Sequence, residues 1–161
     1  MIELENPAEN PCFGCGPLHS RGLHLSFEEQ VTTDGIREVL THFTPQADEI
    51  GWPGLFHGGL HYFVLHETSY WAALTLGGKV MQFAGRAEFD QERLPRVGIQ
   101  HVVRAIVVTR EPARWGILAT TSTLDGKLCG TLRSHWIPAS RERVKRAGIA
   151  VPEYLLAEMD P

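Results

Sequence analysis

Cysteine is scarce: there are three in 161 residues, an odd number that cannot all pair. A disulfide framework is therefore not expected, and a reducing compartment is. No apolar run approaches the ~18 residues that a membrane crossing needs. An excess of basic charge is also missing. Fifteen Lys and Arg against nineteen Asp and Glu give a net charge of −4, whereas a nucleic-acid binder usually shows a basic surface. The one basic run, Arg141, Arg143, Lys145 and Arg146, reads as an exposed helix face near the C-terminus. There is no internal repeat and no low-complexity stretch. The opening Met1-Ile2-Glu3-Leu4-Glu5 is acidic and carries no hydrophobic signal core. From these absences one cytoplasmic domain spanning 1–161 is expected, its core of ordinary size for the length.

What is present is a strand-rich pattern around one long helix. Residues 1–21, rich in Pro, Gly, Asn and Cys, read as an ordered loop. Leu23, Leu25 and Phe27 alternate with His24, Ser26 and Glu28, which predicts a half-buried strand over 22–29. Asp34-Gly35 signals a hairpin turn into a second strand holding Ile36, Val39 and Phe43. Breakers crowd 45–53, and 58–76 then predicts a helix closed by Gly77-Gly78. Four more strands are expected at 80–90, 98–109, 115–124 and 127–137, the last two joined by a turn at Asp125-Gly126. The tail 140–161 reads as helical, with short helices at 141–148 and 153–159. Short links make neighbouring strands antiparallel, so the fold class is α+β, one long helix against a curved sheet of about six strands.

The helix carries the chemistry. Leu60, Phe63, Val64, Trp71 and Leu74 form an apolar stripe, and Leu65, Ala72 and Ala73 place apolar groups on other sides. A helix apolar nearly all round is one that a sheet must wrap. Glu67 falls inside the stripe, where a carboxylate must be paired, protonated or at work. His66 lies on the flank, sharing a face with Gly59, Tyr62 and Tyr70. A satisfied core polar group is the bland alternative for each of them.

Trp52-Pro53-Gly54, His57-Gly58-Gly59, Leu65-His66-Glu67 and Ala72-Ala73 together resemble the helix region of the PaaI-type hotdog thioesterases. Cys12-Phe13-Gly14-Cys15-Gly16-Pro17 with Gly22-Leu23 resembles the opening of one branch of that family. Leu124-Asp125-Gly126-Lys127-Leu128 matches its penultimate hairpin, so the resemblance runs from Cys12 to Ile137. It implies a hotdog domain that assembles as a dimer or a dimer of dimers. An acyl-CoA would lie at the dimer interface with its thioester against the helix start, and no cofactor beyond the coenzyme A of the substrate is implied. Unpaired amides and a partial positive charge at a helix start suit that placement. Gly58 would supply the amide that stabilises the oxyanion and His57 would orient the site. Gly59, Trp52, Phe56, Tyr62 and Tyr70 would contact substrate. The family carries an acid nine residues after the His, where this chain has His66; Glu67 comes one residue later, about 100° around the helix. Gly51 also stands where some relatives have a polar side chain. Two readings stay open: hydrolysis with His66 or Glu67 acting on water, or an acyl-thioester binding protein without turnover. A hotdog dehydratase is a more distant third.

Other constellations are weaker. Cys12 and Cys15 have metal-ligand spacing, yet a structural zinc site takes four ligands and Cys129 is the only other cysteine. Two buried, metal-free thiols in a tight turn are expected. His57 and His61 stand four apart without the glutamate of a zinc-protease helix. Ser69 lacks the glycines of a nucleophile elbow.

Overall fold

The computed structural model describes residues 1–78, 80–151, 153–157 and 159, with the side chain of Tyr154 left aside. Its order is β1 (Ile2–Glu3), β2 (Glu28–Val31), β3 (Arg37–Phe43), β4 (Ile50–Trp52), β5 (Leu55–Phe56), α1 (Gly58–Gly77), β6 (Met81–Gln91), β7 (His101–Glu111), β8 (Arg114–Thr123), β9 (Leu128–Pro138), α2 (Arg141–Arg146) and α3 (Glu153–Ala157). Seven strands form one antiparallel sheet in the order β1-β2-β3-β7-β8-β9-β6, and β4 and β5 make a separate ribbon. The expected count of about six is thus exceeded, because two residues at the N-terminus add an edge strand to β2. The expected strand at 22–29 starts only at Glu28. Leu25 and Phe27 do point inward, but their backbone bonds run to the N-terminal loop: Leu23 and Leu25 N–H to Phe13 and Gly14, and Leu4 N–H to Phe27. The tail helices appear as α2 and α3; residues 152, 158, 160 and 161 of the expected tail lie outside the described residues.

The sheet curls around α1 because its inner face is graded in size. Val39, Ala105, Ala119, Leu132 and Phe89 are cross-strand neighbours in one row over β3, β7, β8, β9 and β6. The two central alanines let the helix sit close, and large side chains fill the flanks. Val64, Leu65, Ala72 and Ala73 of α1 are wholly buried on this face and its sides. Two hydroxyls that fall inside, Thr68 and Ser69, donate back to Val64 and Leu65 carbonyls at 2.8 Å, which removes the cost of burying them. At its far end the helix stops on Gly78, whose φ of 69° is the left-handed conformation that glycine adopts without penalty. Arg110 donates to the Leu76 carbonyl at 3.1 Å and stacks on Trp115 at 4.2 Å, placing a cation where the helix dipole is negative.

One row nearer the helix start, Thr121, Gly130 and Gln91 are neighbours. A Cβ on Gly130 would stand 2.8 Å from Cε1 of His61 and 3.2 Å from the Asp90 carbonyl. Gly130→Ala is therefore expected to destabilise the chain by about 1–3 kcal/mol through overpacking; an unchanged urea midpoint would show that His61 can move aside.

Candidate functional site

The start of α1 is built around His57. Its extended backbone makes it the N-cap, and its Nδ1 accepts the Gly59 N–H at 3.0 Å. The ring is gripped by glycines: a Cβ on Gly51 would meet it at 3.3 Å and one on Gly59 at 3.1 Å. Thus Gly51 is where the chain passes against His57. The cap takes the Gly59 amide; among the described residues no chain group takes that of Gly58. A Cβ on Gly58 would meet Gln91 Oε1 at 3.2 Å, so a polar side chain from the end of β6 borders the helix start. Gln91 was not singled out from sequence, because 33 residues separate it from Gly58 and only the β6–β9 pairing returns it there.

Farther along the helix is a cavity of about 590 Å³ between α1, the N-terminal loop and the first residues of β6. His66, Glu67 and Tyr70 line it with Cys12, Cys15 and Trp136. The His66 ring lies 5.1 Å from both Phe83 and Trp136 and 5.8 Å from Tyr62. Burial among these rings lowers its pKa, so the imidazole is neutral near pH 7. Trp136 is held in turn by its Nε1 bond to Ser134 Oγ at 2.9 Å.

Glu67, only 7% exposed, turns away from His66 toward the N-terminal loop. Cys12 Sγ lies 3.5 Å from its Oε1, and one ligand atom from each of Cys12, Cys15 and Glu67 falls within 4.8 Å of the others. Its pKa is pushed up to about 7, foremost by burial. Cys12 is lowered to about 5, chiefly by the hydrogen bond from the Cys15 thiol, while that same bond and burial raise Cys15. Three acids this close cannot all be ionised unaided, so protons stay in the cluster. Two cysteines alone fall short of a metal's ligand set; Glu67 supplies a third potential ligand.

The expected residues thus separate into two groups. His57, Gly58 and Gly59 mark the helix start; His66, Glu67 and Tyr70 line the cavity, and Tyr62 lies between them. Eight residues of helix put Gly58 and His66 about 12 Å apart in one chain. Two expected substrate contacts fall elsewhere. Trp52 is 71% exposed on the β4–β5 ribbon, and Phe56 is core, 5.5 Å from Phe43. Phe56 reaches only the wall of a second cavity of about 330 Å³.

No family model and no curated protein sequence matches the chain. Solved structures do. A thioesterase superfamily protein is 18% identical with a TM-score of 0.67 over 78% of this chain and 62% of its own length, so this chain spans less than two thirds of that protein. The E. coli PaaI protein from the phenylacetic acid degradation operon is 14% identical, TM-score 0.58, covering 62% and 71%. A hypothetical thioesterase from Streptococcus pneumoniae, solved with coenzyme A, is 12% identical, TM-score 0.59, covering 69% and 86%. At such identities the likeness is one of fold: the chain has the hotdog fold that these thioesterase superfamily structures share. Among the described residues no helix is long and apolar enough to cross a membrane.

Proposed function

We propose that the chain hydrolyses an acyl-CoA thioester at a site completed by a second copy of itself. The observation that carries this reading is the glycine start of α1, with the Gly58 amide untaken, on the same helix as a largely apolar cavity bordered by His66. In that reading the Gly58 N–H donates to the thioester carbonyl oxygen and stabilises its developing negative charge. His66, neutral at pH 7, takes the proton from the attacking water. A base must stand within hydrogen-bond reach of that water, and about 12 Å separates the two groups in one chain. His66 of one protomer therefore serves the helix start of the other. Glu67 is directed into the thiol cluster and is left out of the step. The cavity has the volume of small-molecule sites and takes the acyl group; the coenzyme A bound by the S. pneumoniae neighbour supports that choice of thiol.

The surface for pairing is β6. It is the last strand of the sheet, eleven residues long, and among the described residues no strand pairs with its outer edge. Phe83, Ala87 and Phe89 are only partly buried along it. A long edge of this kind invites a second strand. Free CoA released from a panel of acyl-CoAs, together with a dimeric or tetrameric mass by sedimentation at micromolar concentration, is the expected result. A monomer would remove the shared site. An oligomer that binds acyl-CoA without releasing CoA would instead establish the binding protein.

A further inference from the structure

We propose that Cys12, Cys15 and Glu67 bind one Zn²⁺ ion per chain, with a remaining coordination position facing the 590 Å³ cavity. Zinc holds sulfur at about 2.3 Å and carboxylate oxygen at 2.0–2.2 Å, so tetrahedral neighbours stand roughly 3.5–3.8 Å apart. The Cys12 Sγ to Glu67 Oε1 distance is already 3.5 Å, and the three ligand atoms lie within 4.8 Å of one another. Only a small contraction closes the site.

Its surroundings are those of a thiolate site. The Gly14 N–H points at Cys12 Sγ at 3.4 Å, and the Asn10 side-chain amide at Cys15 Sγ at 3.5 Å. Such donors orient sulfur ligands and favour their anionic form. Asn10 Oδ1 also accepts the Cys12 N–H at 2.9 Å, and Asn6 donates to the Cys15 carbonyl, so the loop is pinned on both sides of the pair. Gly14 lets it approach the helix, since a Cβ there would stand 2.7 Å from the Glu67 carboxyl carbon. Among the described residues no Lys or Arg pairs with the Glu67 carboxylate, which lies against Cys12 and Cys15. Ionising two thiols and a carboxyl this close without a cation is costly, so the cluster holds protons; a thiophilic dication would displace them and bind the anionic forms. Three protein ligands leave the fourth position to water, or to a donor atom of a molecule in the cavity.

The inference is independent of the thioester reading, because its test reads metal and not turnover. The full chain, purified under reducing conditions, is expected to carry one zinc by elemental analysis. After stripping with a chelator it should take up one equivalent of Co²⁺, giving the visible bands of a tetrahedral site and sulfur-to-cobalt charge transfer. Cys12→Ser or Cys15→Ser should weaken binding by more than about 100-fold, beyond the loss that an outer-shell change brings. Glu67→Gln should weaken it while keeping the charge-transfer band. Cys129→Ser should change nothing, since that sulfur lies on β9 near the Lys127 carbonyl. Wild-type metal should also protect two of the three thiols from alkylation, a readout that needs no variant to fold. Absence of stoichiometric metal and of any cobalt spectrum would overturn the proposal. So would a signal that survives loss of both Cys12 and Cys15, or a Cys12–Cys15 disulfide in freshly reduced protein.

Discussion

His66→Ala is expected to lower the rate of thioester hydrolysis by about 10²–10⁴-fold, the usual loss when a general base is removed. The imidazole stands at the rim of the cavity, eight residues along α1 from the Gly58 amide, and its burial keeps it neutral where a base must be. Its ring packs against Phe83, Trp136 and Tyr62, so its orientation is fixed before substrate arrives. The matching control is Glu67→Gln, which should affect stability and the thiol cluster more than turnover, because its carboxyl faces Cys12 and not the imidazole. Steady-state kinetics on both folded variants decides the matter. Full activity in His66→Ala with none in Glu67→Gln would reverse the assignment and place the reacting water at the thiol end of the cavity.

How far the sequence foretold this site depends on the range of the interactions. Local chemistry was legible: the two hairpin turns have glycines at φ 79° and 84° at Gly35 and Gly126, and α1 begins at Gly58 and caps on Gly78. Alternation also gave the inward set Leu25 and Phe27, though not their bonding, because loop residues 13 and 14 pair with them where a strand was expected. The β1 edge and the β4–β5 ribbon were illegible, since two or three residues carry no periodicity. The helix wheel set His66 and Glu67 on different sides, but not what each would face. Cys12 meets Glu67 across 55 residues of chain, and no spacing rule reports a contact of that span. The direction of Phe56, expected to contact substrate, was illegible for a related reason. Its nearness to the helix start in sequence says nothing of its direction, and it points at Phe43 in the core.

Acidification is expected to weaken the fold through His61, a residue the proposed chemistry does not use. Its side chain is completely buried, and neither ring nitrogen has a well-formed hydrogen bond. Burial foremost, then the nearby His101, lowers its pKa to about 4, while the Gln91 side chain pulls slightly the other way. The ring also packs edge-on to Phe89 at 5.4 Å. Because the folded chain resists protonation here, the unfolded chain binds the proton first as pH falls below about 6.5. The stability contributed by neutral His61 is present above that pH and is lost progressively down to about pH 4, in all about 3 kcal/mol. His101, also lowered by burial, acts in the same direction. Glu67, raised to about 7, acts oppositely: its contribution is complete below pH 4.5 and fades as pH rises through 7. The difference between wild type and His61→Leu isolates the one term from the others. Leucine is close in volume and carries no unpaired nitrogen, so near pH 7.5 the variant should match or exceed the wild type. In urea unfolding at pH 4.5 the wild type should have lost at least about 2 kcal/mol relative to the variant. Parallel losses in both proteins would mean that His61 is protonated and accommodated in the folded state, with the row of Gly130, Thr121 and Gln91 giving way to admit water.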